Sequence, residues 1–108
     1  QNIFENVDVN HFEQFIRSDS VQLVDVRTPK EYAEGHIAEA VNINVKDSAF
    51  LTAALSRLDK KRPCAVYCRS GKRSALAASL LAKRGFAVTN LLGGIIAWSE
   101  ARKKIVKE

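Results

Sequence analysis

Short runs of β-branched and aromatic residues alternate with stretches of helical spacing along the whole chain. Ile3 to Val7 reads as a strand, and Asp8 stands where it can cap a helix that turns Phe12, Phe15 and Ile16 to one face. Val21 to Val26 is the next strand. Thr28-Pro29-Lys30-Glu31 starts a second helix, in which Thr28 caps, Pro29 has the φ suited to the first turn and Glu31 completes a capping box. It should stop near Gly35. Ala40 to Ile43 is a brief strand, and Asp47 to Leu58 a helix with Phe50, Leu51, Leu55 and Leu58 turned inward. After a turn from Asp59 to Pro63, Cys64 to Tyr67 forms a buried strand. Ser74 to Lys83 is helical by propensity, with small residues on one side, and Gly85 ends it. Val88 to Leu92 is the last strand, and Gly93-Gly94 opens a final helix. Its apolar positions are Ile95, Ile96, Trp98 and Ile105, and its end is basic. Strands that alternate with helices in this way predict an α/β fold with a mainly parallel sheet.

The length of 108 residues, 46% of them hydrophobic, suffices for one core and not two, so residues 1–108 are expected to form a single domain. No apolar run reaches the roughly 20 residues that cross a bilayer, so no membrane is expected. The chain lacks Met and begins at Gln1. Its natural start is therefore expected to have been removed, which fits a periplasmic protein after loss of a signal peptide and equally a cytoplasmic one. The formal net charge of +5 owes part of its excess to Lys60-Lys61-Arg62 and to Arg102, Lys103, Lys104 and Lys107. These read as a solvated turn and a helix end. No aromatic residues interleave with them as stacking on nucleic acid would require, so no nucleic-acid partner is expected, and a small anion accounts for the field as well. Nothing in the apolar pattern calls for a second copy, and a monomer is expected.

The two cysteines, Cys64 and Cys68, fall on one strand. At about 3.3 Å per residue their Cα atoms lie roughly 13 Å apart, out of disulfide reach, and without nearby His partners they make no zinc site. Cys68 matters more, because Cys68-Arg69-Ser70-Gly71-Lys72-Arg73 joins a strand end to a helix start. In parallel α/β sheets ligands bind outside the carboxyl ends of the strands, where helix amides without partners point outward and attract anions. A thiol at this loop is predicted to ionise easily, beside a helix N-terminus and the cations Arg69, Lys72 and Arg73. Gly71 suits a tight turn whose N–H groups converge on one point. Cys68 is thus the expected nucleophile, while Cys64, inside the strand, is expected to be structural.

The order Leu23-Val24-Asp25-Val26-Arg27, Glu31-Tyr32, Gly35-His36-Ile37, the Cys68 to Arg73 loop, and Leu92-Gly93-Gly94-Ile95 with Trp98 resembles the rhodanese family over nearly the whole chain. The resemblance implies a five-stranded parallel sheet flanked by helices and the transfer of a sulfane sulfur through a cysteine persulfide. Cys68 would carry the sulfur, the amides of Arg69, Ser70, Gly71, Lys72 and Arg73 would cradle it, and the side chains of Arg69, Lys72 and Arg73 would hold thiosulfate or a similar anion. Asp25 and Arg27 match a strand-end pair that supports the loop. Thiolate attack would expel sulfite, and a thiol, cyanide or a protein cysteine would collect the sulfur in a second half-reaction. No metal or organic cofactor is needed.

Other residues carry less. His36 reads as packing and turn geometry, His11 as a helix-face residue with no role, and Trp98 as a core anchor. Arg27 is expected to pair with Glu31 or another carboxylate, Ser70 is a loop hydroxyl or substrate donor, and Ser74 is expected to cap the following helix. A cysteine phosphatase closes its loop with Cys-x5-Arg, whereas four residues separate Cys68 from Arg73, a span better suited to one sulfur atom than to a phosphate ester. A non-enzymatic binding module is the other rival, and inactive rhodanese-like modules typically lack the loop cysteine present here.

Overall fold

The computed structural model describes residues 3–107. The chain runs β1 (Glu5–Val7), α1 (Val9–Ile16), β2 (Gln22–Asp25), α2 (Pro29–Glu34), β3 (Val41–Asn42), α3 (Phe50–Arg57), β4 (Cys64–Tyr67), α4 (Lys72–Ala82), β5 (Val88–Leu91) and α5 (Gly94–Glu100). The strands form one sheet in the order β1-β5-β4-β2-β3, with every neighbouring pair parallel. β4 is therefore central, and all five carboxyl ends open on the same edge. This is the expected five-stranded α/β sheet.

Alternation along the strands divides the core in two. Val24, Val66, Cys64 and Cys68 face Phe50 and Ala54 of α3 and Ala77, Ala78 and Leu81 of α4. Leu23, Ala65, Tyr67 and Leu91 face Phe12 of α1, Tyr32 of α2 and Trp98 of α5. Helices thus cover both faces, as a parallel sheet requires. Ala77 and Ala78 of α4 are fully buried, and their lack of bulk lets the helix lie close over β4 and β5.

Local chemistry sets the helix starts. Asp8 caps α1 by accepting from the His11 amide, and Thr28 and Glu31 form the reciprocal capping box at α2. The expected bounds of three helices need correction. α3 begins at Phe50 and not at Asp47, because the Asp47 carboxylate accepts from the Ala49 amide at 2.9 Å and holds residues 47–49 in a turn. α4 begins at Lys72, with Gly71 as its cap at φ +107, so Ser74 lies inside the first turn and caps nothing. α5 ends at Glu100, where Arg102 adopts φ +60 and the Lys103 amide reaches back to the Trp98 carbonyl. Ile105 and the basic residues from Arg102 onward therefore lie beyond the helix. That tail folds back as a strap: Val106 and His36 exchange backbone hydrogen bonds at 2.8 Å, and Trp98 Nε1 donates to the Lys104 carbonyl.

Candidate active site

Cys68 follows the last residue of β4 at the carboxyl edge of the sheet, 1% exposed. Its Sγ accepts from the Gly71 amide at 3.0 Å and from the Ser74 hydroxyl at 3.3 Å. Burial alone pushes the thiol up. The Ser74 hydroxyl and the amides of Ser74, Gly71 and Ser70 outweigh it and hold the thiol below its ordinary value. The activating groups are dipoles of the loop and the first turn of α4, and the expected contribution of Arg69 and Lys72 is not among the main causes.

The loop keeps its shape because α5 grips it from outside. The Ile95 and Ile96 amides, at the start of α5, donate to the carbonyls of Cys68 and Arg69 at 2.9 and 3.2 Å. With those carbonyls held outward, the following amides are free to turn toward sulfur. Gly94 makes this contact possible, since a Cβ there would lie 2.3 Å from the Arg69 carbonyl oxygen and 2.6 Å from that of Cys68. Gly71 contributes in a different way, by taking the left-handed φ that starts α4 directly under the sulfur.

A buried ion pair stiffens the neighbouring strand end. Arg27 donates from Nη2 to Asp25 Oδ2 at 2.6 Å and from Nε to Oδ1 at 2.9 Å, and both residues are buried. Arg27 Nη2 also donates to the Gly35 carbonyl, its guanidinium lies 5.7 Å from the Tyr67 ring centroid, and Asn42 Nδ2 bridges the carbonyls of Asp25 and Arg27. Asp25 and Arg27 therefore sit behind the loop, and Arg27 pairs with Asp25 instead of Glu31.

Glu31 is taken by Arg73, with Nη1 to Oε1 at 2.8 Å and Nη2 to Oε2 at 2.9 Å. That partnership was not legible in the sequence, where Glu31 reads as a helix cap. It remains one as well, accepting from the Thr28 amide and hydroxyl at 3.1 Å. Arg73 is thus committed to a carboxylate, while Arg69 and Lys72 are exposed and have no ion-pair partner among the described residues. Ser70 is exposed beside them. His36 stacks on Tyr32 at 3.6 Å and Trp98 packs edge-on against Phe12, both away from the sulfur. Cys64 is fully buried at the far end of β4. A cleft of about 550 Å³ lined by Arg57, Arg62 and Gln22 lies at that same far end.

Known proteins resemble this chain in sequence and in fold. Residues 8–101 match the rhodanese-like domain family. A sulfurtransferase of Allochromatium vinosum is 40% identical over 90 residues, covering 82% of this chain and 81% of that protein. The thiosulfate sulfurtransferase GlpE of Shewanella oneidensis is 37% identical over 99 residues, covering 91% and 95% respectively. Among solved structures, a rhodanese-related protein of Thermoplasma volcanium superposes with a TM-score of 0.85 at 28% identity, covering 97% of this chain and all of that one. The rhodanese-like domain of an Anabaena protein superposes equally well at 26% identity, covering 98% and 81%. A strand-end cysteine in a ring of amides, on this sheet and among these relatives, means that the chain belongs to the rhodanese-like domain family and is a sulfurtransferase.

Proposed function

We propose that the protein moves a sulfane sulfur from thiosulfate, or from a related persulfide or polysulfide donor, to a thiol acceptor by way of a Cys68 persulfide. The observation that carries this reading is the Cys68 sulfur accepting from the Gly71 amide and the Ser74 hydroxyl at the end of β4. The same donors that favour the thiolate would favour the terminal sulfur of a persulfide, which is also an anion. In the first half-reaction the thiolate attacks the outer sulfur of thiosulfate, a new S–S bond forms, the old one breaks, and sulfite leaves with its electron pair. In the second, an acceptor thiolate or cyanide takes the terminal sulfur and Cys68 returns as the thiolate.

Arg69 and Lys72 meet the departing sulfonate group from the rim, and the amides of Ser70 and Gly71 hold the transferred sulfur. Arg73 stays paired with Glu31 at the rim, and Asp25 and Arg27 keep the strand end in place. The acceptor is a small thiol, cyanide or a protein thiol. The protein acts as a monomer on these small anions, without a metal or organic cofactor.

The test is intact mass after incubation with thiosulfate, which should show an adduct of about +32 Da on the wild-type chain and none on Cys68→Ser, with sulfite released in equal amount. Wild-type protein that stays unmodified and releases no sulfite would refute the reading and leave a binding module. Hydrolysis of aryl phosphates without any sulfur adduct would instead favour a phosphatase.

A further inference from the structure

Three cations flank the sulfur in the sequence, yet one is already neutralised. We infer that Glu31 sets the donor preference of the site by keeping Arg73 paired, so that the anionic donor is held by Arg69 and Lys72 alone. This rests on the sulfurtransferase reading and adds to it a residue outside the loop that governs how strongly donor charge counts.

Both Nη atoms of Arg73 face Glu31, in the parallel two-bond geometry that guanidinium and carboxylate prefer. Glu31 cannot easily leave, because the Thr28 amide and hydroxyl hold Oε1, the oxygen that also takes Arg73 Nη1. The side chains are about a quarter exposed, 23% for Arg73 and 26% for Glu31, so the pair stands at the rim, within the field an incoming anion feels. An anion that sought to recruit Arg73 would have to displace a preformed double hydrogen bond. A neutral pair contributes little net field, and removing either partner exposes the charge of the other.

The direction of each change follows. Glu31→Gln keeps the helix cap, since Gln serves the capping box as Glu does, and it leaves Arg73 as an uncompensated cation. Arg73→Ala leaves Glu31 as an uncompensated anion. Replacing both restores a neutral rim.

The experiment is steady-state kinetics on these three variants with two donors, the dianion thiosulfate and a monoanionic alkanethiosulfonate, which gives up its outer sulfur and leaves as a sulfinate. For thiosulfate, Glu31→Gln should lower KM about fivefold and Arg73→Ala should raise it by a similar factor, the order expected of a partly exposed charge. The double variant should return KM to within about twofold of wild type, and with the monoanion each single change should fall to about twofold, as half the donor charge requires. A double variant as weak as Arg73→Ala would overturn the inference, because it would make Arg73 itself the anion clamp. Losses in kcat with unchanged KM in all three would overturn it too, by reducing the pair to a brace. Failure of the wild-type chain to form the persulfide with either donor would instead bring down the underlying reading, and this inference with it.

Discussion

Cys64 and Cys68 face the same side of one sheet from opposite ends of β4, belong to the same apolar cluster and are equally hidden from solvent. Their chemistry diverges completely. At Cys64, burial pushes the thiol up to about 11, although the charge of Arg62 pulls the other way. At Cys68, burial is overcome and the thiol falls below the ordinary value, and the groups that lower it are one hydroxyl and three amides. The cysteine with a cation among its principal influences stays a thiol, and the one activated by dipoles is the proposed nucleophile. Directed N–H and O–H groups fixed within hydrogen-bond reach do more for a buried thiolate than a guanidinium at the rim, because they need no rearrangement and are not screened by water.

The contrast is most severely tested by exchanging the two cysteines' fates. Cys68→Ser should abolish thiosulfate-dependent sulfite release, a loss of more than about a thousandfold, whereas Cys64→Ala should retain the persulfide adduct seen by intact mass. A Cys64→Ala protein that folds but takes up no sulfur would break the comparison. Next in size is Gly94→Ala. Its Cβ would meet the Arg69 and Cys68 carbonyls, push the loop off α5 and misdirect the amides, for an expected loss of about a hundredfold in kcat/KM.

Ser74→Ala sharpens the same contrast, since it removes one dipole and leaves the rest. The thiolate loses a donor, so its pKa rises and the pH–rate profile should move to higher pH, with about tenfold less activity at pH 7. Activity should recover as pH rises, and a profile that drops without moving would contradict the role given to the hydroxyl. The smallest effect concerns the rim. Arg73 beside Glu31, its strongest influence, together with the Thr28 amide and hydroxyl, outweighs burial and takes that carboxyl from 4.5 to about 2. A depressed carboxyl contributes stability that is present above its unfolded pKa and lost as pH falls from about 4.5 to about 2. Denaturant titrations should show Glu31→Gln less sensitive across that window than wild type.

Much of this was legible in the sequence, for reasons that can be traced to particular residues. The central strand and its loop were readable because an apolar run ends on a cysteine and passes through Gly71 into a helical pattern. The alternation of strands and helices carried the sheet. The end of α5 was not readable. Its left-handed terminator is Arg102 and not a glycine, so the apolar Ile105 seemed to continue the helix when it packs in the returning strap beside Gly35. Ser74 was misread as a cap because a hydroxyl near a helix start has two possible partners, and only the position of Gly71 in three dimensions decides between them. Glu31 and Arg73 are 42 residues apart in the chain. No local pattern announces a pair like that, and the capping box supplied a sufficient reason for Glu31 without it.

Ultraviolet titration of the thiols in wild type, Cys64→Ala and Cys68→Ala reads the claim on which all of this depends. Cys64→Ala should show one thiolate appearing below the ordinary thiol value of 9.0, and Cys68→Ala none until the region of pH 11. A Cys68 that ionises at or above 9.0 in the Cys64→Ala protein would contradict the account.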